Sequence, residues 1–246
     1  MRRSAVLALV IAGCASAGSG GGGGGENQDG PGLPEIDSPP PIDAAITTVL
    51  SQTGSTNVVA TGIACQNSST GFTNENSYYR VFRLAEHGIT SDFHVTEVTF
   101  AVERAQAGSG GAQPAQVRLG TYGGAIDATS FPTTALTQLA SATIQIPDGA
   151  PTVTVPISMF TPSAVRLAPN ANLYAEVFIP NSQAAPVTNH TFYIGSNAGT
   201  ETHLSYIRGP ACSVGNPAQP ITNPTSYAAV VPSPAIRLLL TVTGVH

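Results

Sequence analysis

Short runs of alternating apolar and polar residues dominate the last two thirds of the chain. A period of two is typical of antiparallel strands with one buried face, because successive side chains point to opposite faces of a sheet. In the longest run, strict alternation places Phe93, Val95 and Glu97 on the same face. Glycine, proline and asparagine separate the runs and favour turns. The runs cover residues 78–84, 93–103, 116–122, 142–146, 152–155, 173–179, 190–194, 203–207 and 235–242.

Eight or more such strands predict an all-β fold. The expected architecture is an antiparallel two-sheet β-sandwich, jelly-roll-like, that follows a disordered N-terminal tether. Only residues 132–140 and 164–168 have a pattern that could hold a helical turn. We therefore predict that residues 55–246 form one β-sandwich domain.

The beginning of the chain has a different pattern, an apolar run behind two arginines. Residues 5–12 are apolar, and Arg2 and Arg3 precede them as a positively charged region, which is the pattern of a signal peptide. The run is too short to cross a bilayer, which takes about 20 apolar residues. We predict a signal peptide over residues 1–13.

The apolar run ends in Ile11-Ala12-Gly13-Cys14, which resembles the lipobox of bacterial lipoproteins. The resemblance implies that cleavage precedes Cys14 and that its thiol carries a diacylglyceryl group; an ordinary secretory signal is the alternative. Acyl chains give a stable anchor, since each buried methylene contributes about 0.8 kcal/mol. Ala15 stands in place of the aspartate that retains some lipoproteins on the inner membrane. The expected location is therefore the cell envelope, with a lipid anchor in the outer membrane.

Residues 14–54 have the composition of a flexible, acidic linker rich in glycine and proline. Such a segment cannot bury enough apolar surface to offset the entropy lost on ordering. Residues 15–43 contain five acidic residues and no basic one, whereas the chain after residue 44 has nine acidic residues and seven arginines. The net charge of −5 therefore belongs mainly to the linker. Because no basic stripe is present, we expect no nucleic-acid partner.

Two cysteines remain once Cys14 is assigned to the lipid. An even pair in an exported protein favours a disulfide, and we predict that Cys65 and Cys212 form one. The alternatives are two free thiols or a metal pair without its other ligands.

The sequence carries no recognised catalytic motif. It has no Gly-x-Ser-x-Gly elbow, no His-Glu-x-x-His and no phosphate loop. The histidines do not cluster, and His190 and His203 open strands, where solvent exposure is usual. We predict no catalytic residue, no metal site and no cofactor.

Charged residues within the predicted strands allow two interpretations. Three carboxylates could form an acid and base pair of the kind that glycosidases use, or they could pair with arginines in salt bridges, which we favour. The carboxylates are Glu97, Glu103 and Glu176, and the arginines are Arg80, Arg83, Arg104 and Arg118.

The segment that leads into the first clear strand holds the candidate ligand residues. Asn74, Asn76, Tyr78 and Arg80 could form a small binding site, and asparagine oxygens there could hold calcium. A turn closed by hydrogen bonds between side chains and backbone is the interpretation we favour. Tyrosines on the strands could stack on sugars or belong to the core. The lack of tryptophan weakens the sugar-binding interpretation.

A set of short motifs over about residues 58–243 resembles a β-sandwich module of large secreted bacterial proteins. The motifs are residues 76–82, 98–103, 175–181, 192–197 and 205–206, followed by Cys212. That module is an accessory domain with no assigned catalysis. The resemblance implies a paired Cys65 and Cys212 and brings no active site.

These observations together predict a lipid-anchored protein of the envelope or cell surface. It would display a non-catalytic β-sandwich module that binds a glycan or a protein partner. The alternatives are a structural component of the envelope or, less favoured, a jelly-roll enzyme that acts on glycans.

Overall fold

The computed structural model describes residues 45–59, 62–108, 112–128, 131–220 and 237–246, and for residues 214–220 it describes the backbone. The predicted signal peptide, Cys14 and the predicted linker up to residue 44 lie outside the described residues.

The described residues form strands and short 3₁₀ turns, with no α-helix among them. The strands are β1 (Thr47–Leu50), β2 (Asn76–Arg83), β3 (Phe93–Gln106), β4 (Ala112–Tyr122), β5 (Leu136–Pro147), β6 (Thr152–Pro156), β7 (Arg166–Leu167), β8 (Asn172–Ile179), β9 (Thr191–Ile194), β10 (Ser196–Asn197), β11 (Tyr206–Gly209), β12 (Val214–Pro220), β13 (Arg237–Leu238) and β14 (Leu240–Val245). The 3₁₀ turns are Leu84–His87, Thr133–Ala135, Ile157–Met159 and Pro210–Cys212.

Two antiparallel sheets pack face to face, which confirms the predicted β-sandwich. The front sheet has the strand order β12-β11-β2-β8-β4-β5. The back sheet has the order β1-β14-β3-β6, and β7 and β9 also pair with β3. Most consecutive strands cross between the sheets, as β2, β3 and β4 do, so that distant segments become neighbours.

The main core lies between the two sheets. Alternate residues of the long strands supply it, for example Tyr78 and Phe82 from β2 and Val98 and Phe100 from β3. Burying such side chains contributes about 1.5–3 kcal/mol each relative to leaving them exposed. The alternation that predicted the strands is therefore the pattern that builds the core.

One bulge changes the phase of the longest strand. Thr243 pairs with Glu97 and Gly244 pairs with Val95, so Thr96 is an extra residue in β3. The extra residue moves Val98 onto the core face, where strict alternation had placed Glu97. The predicted face of Glu97 was wrong for this reason.

The domain begins earlier than the sequence indicates. Residues 47–50, assigned to the linker that was expected to end at residue 54, form β1 and pair with β14. Leu50 is buried in the core, whereas Val49 is exposed. One buried apolar residue in a four-residue strand is too weak a pattern to distinguish from a linker.

The two segments expected to allow helical turns differ. Residues 133–135 form a 3₁₀ turn, and β5 then begins at Leu136. Residues 164–168 contain β7 instead of a turn, because Arg166 and Leu167 pair with the start of β3.

Cys65 and Cys212 form a disulfide, as predicted, with a Cα–Cα distance of 5.7 Å. The bond joins the segment before β2 to the 3₁₀ turn after β11, across a sequence separation of 147 residues. It therefore closes most of the front sheet into one covalent loop.

We expect reduction of this disulfide to lower the free energy of unfolding by about 5 kcal/mol at most, the value of the loop-entropy model for so long a loop. Urea unfolding of the oxidised protein and of a Cys65→Ala, Cys212→Ala double variant measures the difference. Equal midpoints for the two proteins would contradict the prediction.

Candidate ligand-binding groove

Three of the predicted candidate residues, Asn74, Asn76 and Tyr78, have structural roles. The Asn76 side chain accepts a hydrogen bond from the Cys65 amide at 2.7 Å and donates one to the Cys65 carbonyl at 3.1 Å. The Tyr78 hydroxyl donates to the Ile63 carbonyl at 2.8 Å. Asn74 accepts a hydrogen bond from Gln183 at 3.2 Å. These bonds hold the segment before β2 in place. They agree with the interpretation of this segment as a hydrogen-bonded turn and not as a ligand site.

Arg80 lies inside the sandwich and not on a binding surface. Its guanidinium donates to the Leu238 carbonyl at 2.6 Å and to the Gln52 amide oxygen at 2.9 Å, and it pairs with Glu201 at 3.2 Å. Arg237 also approaches Glu201, at 3.1 Å. Asn74, Asn76, Tyr78 and Arg80 therefore do not form one exposed site.

Burial dominates the electrostatics of this ion cluster. Desolvation lowers the pKa of Arg80 to about 10, although Glu201 acts in the opposite direction. Desolvation also raises the pKa of Glu201 against the influence of both arginines. The attraction between buried charges offsets the cost of taking them out of water only where additional hydrogen bonds satisfy their polar atoms, as those of Arg80 do.

The three strand carboxylates do not meet in one cleft. Glu176 lies on the front sheet and pairs with Arg118 at 3.0 Å, which is the expected salt bridge. Glu97 and Glu103 lie on β3 of the back sheet. Glu97 accepts a hydrogen bond from Thr243 at 3.3 Å, and Glu103 accepts one from the Gly62 amide at 2.5 Å.

A second apolar cluster covers part of the outer face of the front sheet. Phe131, from the loop between β4 and β5, stacks on Tyr122 and on Tyr206 with ring centroids 4.5 Å apart in each case. Tyr79 lies 5.2 Å from the same ring. The outward residues of β2 are therefore buried too, so the front sheet has a covered outer face beside its core face.

Strand register brings four outward side chains into one row on this face. Tyr206 pairs with Tyr79, Tyr79 with Glu176, and Glu176 with Arg118. The row crosses four adjacent strands, in the order Tyr206, Tyr79, Glu176, Arg118. Gly120 is the neighbour of Tyr174 in an adjacent row, and a Cβ there would lie 2.6 Å from the tyrosine ring. The glycine therefore lets the ring lie close to the sheet.

A cavity of about 380 Å³ opens over this part of the sheet, and we call it the front groove. Its lining consists of Tyr79, Arg118, Thr133, Leu136, Gln138, Tyr174, Glu176 and Arg208. The volume lies within the range of about 300–1,000 Å³ that small-molecule sites have.

Charges in the front groove are paired and balanced. Arg118 bonds to Glu176 and also donates to Gln116 at 2.7 Å, and Arg208 pairs with Glu75 at 2.5 Å. The Arg118 and Arg208 side chains keep 25% and 28% of their surface exposed, whereas Glu176 keeps 4%. The arginines therefore present donors to the solvent while the nearby carboxylate is sheltered.

The two tyrosines of the groove remain protonated at neutral pH. Burial raises the pKa of Tyr79 and of Tyr174, and the charge of Glu176 acts in the same direction. Their hydroxyls are therefore polar groups without charge, able to donate or accept hydrogen bonds.

One wall of the groove comes from the loop before β5, and His203 fastens that loop. The His203 Nδ1 atom lies 2.7 Å from Asp127 of the loop, and its Nε2 atom lies 2.5 Å from Glu86. Asp127 also accepts a hydrogen bond from the Leu204 amide at 2.8 Å. Burial opposes a charge on His203, but the hydrogen bonds to Asp127 and Glu86 outweigh it and raise the pKa of the ring.

His190 and His203 were both expected to be exposed, but both are largely shielded from solvent, and the His203 side chain is 15% exposed. His190 is buried, not exposed, and burial lowers its pKa to about 4. Its Nδ1 atom lies 2.8 Å from the Thr188 hydroxyl.

Within the described residues no group of three or more His, Cys, Asp or Glu side chains is arranged to hold a metal ion. No helix in that part of the chain is both long and apolar enough to span a membrane.

No protein-family model and no curated protein matches the chain. Among solved structures, the chain is similar to the cysteine protease and lectin-like domains of Cwp84, a surface-layer-associated protein of Clostridium difficile. The TM-score is 0.44 and the sequence identity is 14%, and the match covers 70% of this chain and 32% of that chain. The match thus spans about a third of that structure.

The His203 contacts predict a pH-dependent stability. A raised pKa stabilises the folded state below the unfolded value of about 6.5, and this contribution is lost as the pH rises through the folded value. Glu86 has a lowered pKa, chiefly because of His203, so its contribution is lost as the pH falls through that value. We expect His203→Gln to destabilise the protein by about 1 kcal/mol or less at pH 6, and by less at pH 8.5.

Chemical denaturation at both pH values measures this difference. His94→Gln is the matched control, since His94 is exposed on the back sheet. An equal loss of stability for His203→Gln at both pH values would show that the charged form makes no contribution.

Proposed function

We propose that the protein is a lipid-anchored protein of the cell envelope whose β-sandwich binds a glycan in the front groove, without catalysis. The observation that carries the proposal is the pair of partly exposed arginines, each paired with a carboxylate, beside protonated tyrosines in one concave site. Sugars present many hydroxyls, and each hydroxyl can donate to a carboxylate and accept from a guanidinium.

The charge balance of the groove favours a neutral ligand. Arg118 and Arg208 are matched by Glu176 and Glu75, so neither an anion nor a cation gains a net attraction. Charge-assisted hydrogen bonds to neutral hydroxyls still contribute about 1.5–3 kcal/mol each.

The size and polarity of the groove favour a glycan over a protein surface. A stable protein interface buries about 800 Å² on each partner and usually has an apolar centre. The front groove instead gathers polar groups in a cavity of about 380 Å³. The arrangement of Glu176 supports a binding role over hydrolysis, because Glu176 is paired with Arg118 and no second carboxylate among the described residues lines this cavity.

The lipid anchor is the second half of the proposal and depends on the Ile11-Ala12-Gly13-Cys14 pattern. An acyl group on Cys14 would keep the domain at a membrane while the acidic linker gives it reach. We place the anchor in the outer membrane because Ala15 follows the cysteine.

Binding of the full-length protein to an array of immobilised neutral and charged oligosaccharides tests the groove. We expect a neutral oligosaccharide to bind and Arg208→Gln to weaken this binding about tenfold or more, because a charged hydrogen bond is lost. Arg166→Gln is the matched control, since that arginine pairs with Asp92 on the back sheet and is 68% exposed. The proposal fails if no oligosaccharide binds or if the two variants lose affinity equally.

Labelling with a radioactive fatty acid in a bacterial host with two membranes tests the anchor. We expect label on the wild-type protein in the outer-membrane fraction and none on Cys14→Ser. Ser16→Ala is the matched control and should retain the label. Labelled Cys14→Ser, or an unlabelled wild type, would contradict lipidation at this cysteine.

A further inference from the structure

A second cavity, of about 370 Å³, lies beside the front groove on the same face of the front sheet. Most of its walls are apolar, and we call it the apolar chamber. The apolar lining consists of Pro114, Phe178, Pro180, Ala184, Ala185 and Pro186.

Strand register explains why the chamber adjoins the groove. Phe178 follows Glu176 by two residues on β8, so both side chains point away from the core. Phe178 pairs with Gln116 of β4, and Pro114 therefore comes one row further along. Glu75, directly before β2, lines the chamber at the same end.

Two contacts form the border between the cavities. The Arg118 guanidinium lies over the Phe178 ring, 4.4 Å from its centroid. The Arg208 guanidinium, which lines the groove, pairs with Glu75, which lines the chamber. A ligand at this border therefore meets polar groups on one side and apolar walls on the other.

We propose that the glycan recognised by this face carries N-acetylated hexosamine, with its hydroxyls in the front groove and its acetamido methyl group in the apolar chamber. The inference rests on the proposed function and adds the class of sugar. A plain neutral sugar would leave the prolines and alanines of the chamber without an apolar partner. A free amino sugar would bring a cation close to Arg208, and the carboxylate that lines the chamber, Glu75, is already paired with that arginine.

The chamber predicts a measurable preference. A small apolar group that fits an apolar pocket changes affinity by about 10–200-fold. We therefore expect chitotriose, the β-1,4 trimer of N-acetylglucosamine, to bind the full-length protein at least about tenfold more tightly than cellotriose or the trimer of glucosamine. The three probes share one backbone and differ only at the 2-position.

Calorimetric titration of the wild type and two variants makes the test specific. Ala184→Leu should narrow the chamber and reduce the preference to less than about threefold, since the methyl group loses its site. Ala164→Leu is the matched control, because Ala164 is also exposed but precedes β7 of the back sheet. A thermal melt of each variant establishes that it is folded.

The outcomes separate the two proposals. A preference for chitotriose that Ala184→Leu removes and Ala164→Leu keeps supports the chamber. Equal binding of the three trimers, with loss on Arg208→Gln, overturns the chamber and retains the groove. If no trimer binds and no other oligosaccharide does, the proposed function fails as well.

Discussion

The burial of β2 on both faces is the constraint on which the rest of the structure depends. Residues 76–82 are all buried, although strands in a sandwich usually keep one face in water. Tyr78 and Phe82 contribute to the main core, whereas Tyr79 and Val81 belong to the outer cluster with Phe131. The outer face therefore needs its own cover, and the loop before β5 provides it. The front groove is the part of that face which the cover leaves open.

The double burial also accounts for the charged groups inside the protein. Arg80 is fully buried, and it links β2 to the Leu238 carbonyl and to Glu201. Replacing such a network with apolar residues is often neutral or stabilising, so its presence is weak evidence for stability. The hydrogen bonds of Arg80 do fix which backbone segments meet at the core, since each acceptor comes from a different part of the chain. In this sense the cluster specifies the packing of the C-terminal strands on the front sheet.

The sequence was sufficient to predict most of the strands and the disulfide, because both depend on local patterns or simple counts. It was insufficient for β1, where a single buried leucine gives no period, and for Glu97, where the bulge at Thr96 shifts the phase. The front groove could not be predicted from the sequence for a different reason. Arg118 and Glu176 are 58 residues apart and meet only through strand register. No local pattern in the sequence identifies two such partners. Alternation within each strand indicates only that a charged residue points outward.

The position of β1 gives the groove its independence from the point where the chain enters the domain. β1 is an edge strand of the back sheet, whereas the groove lies on the outer face of the front sheet. The disulfide and the Asn76 bonds act between these regions by fixing the segment that leads from β1 to β2. β1 pairs with β14 of the back sheet, and none of the described residues that line the groove belongs to β1. In the proposed tethered protein, this separation would keep the point of attachment away from the residues proposed to bind the glycan.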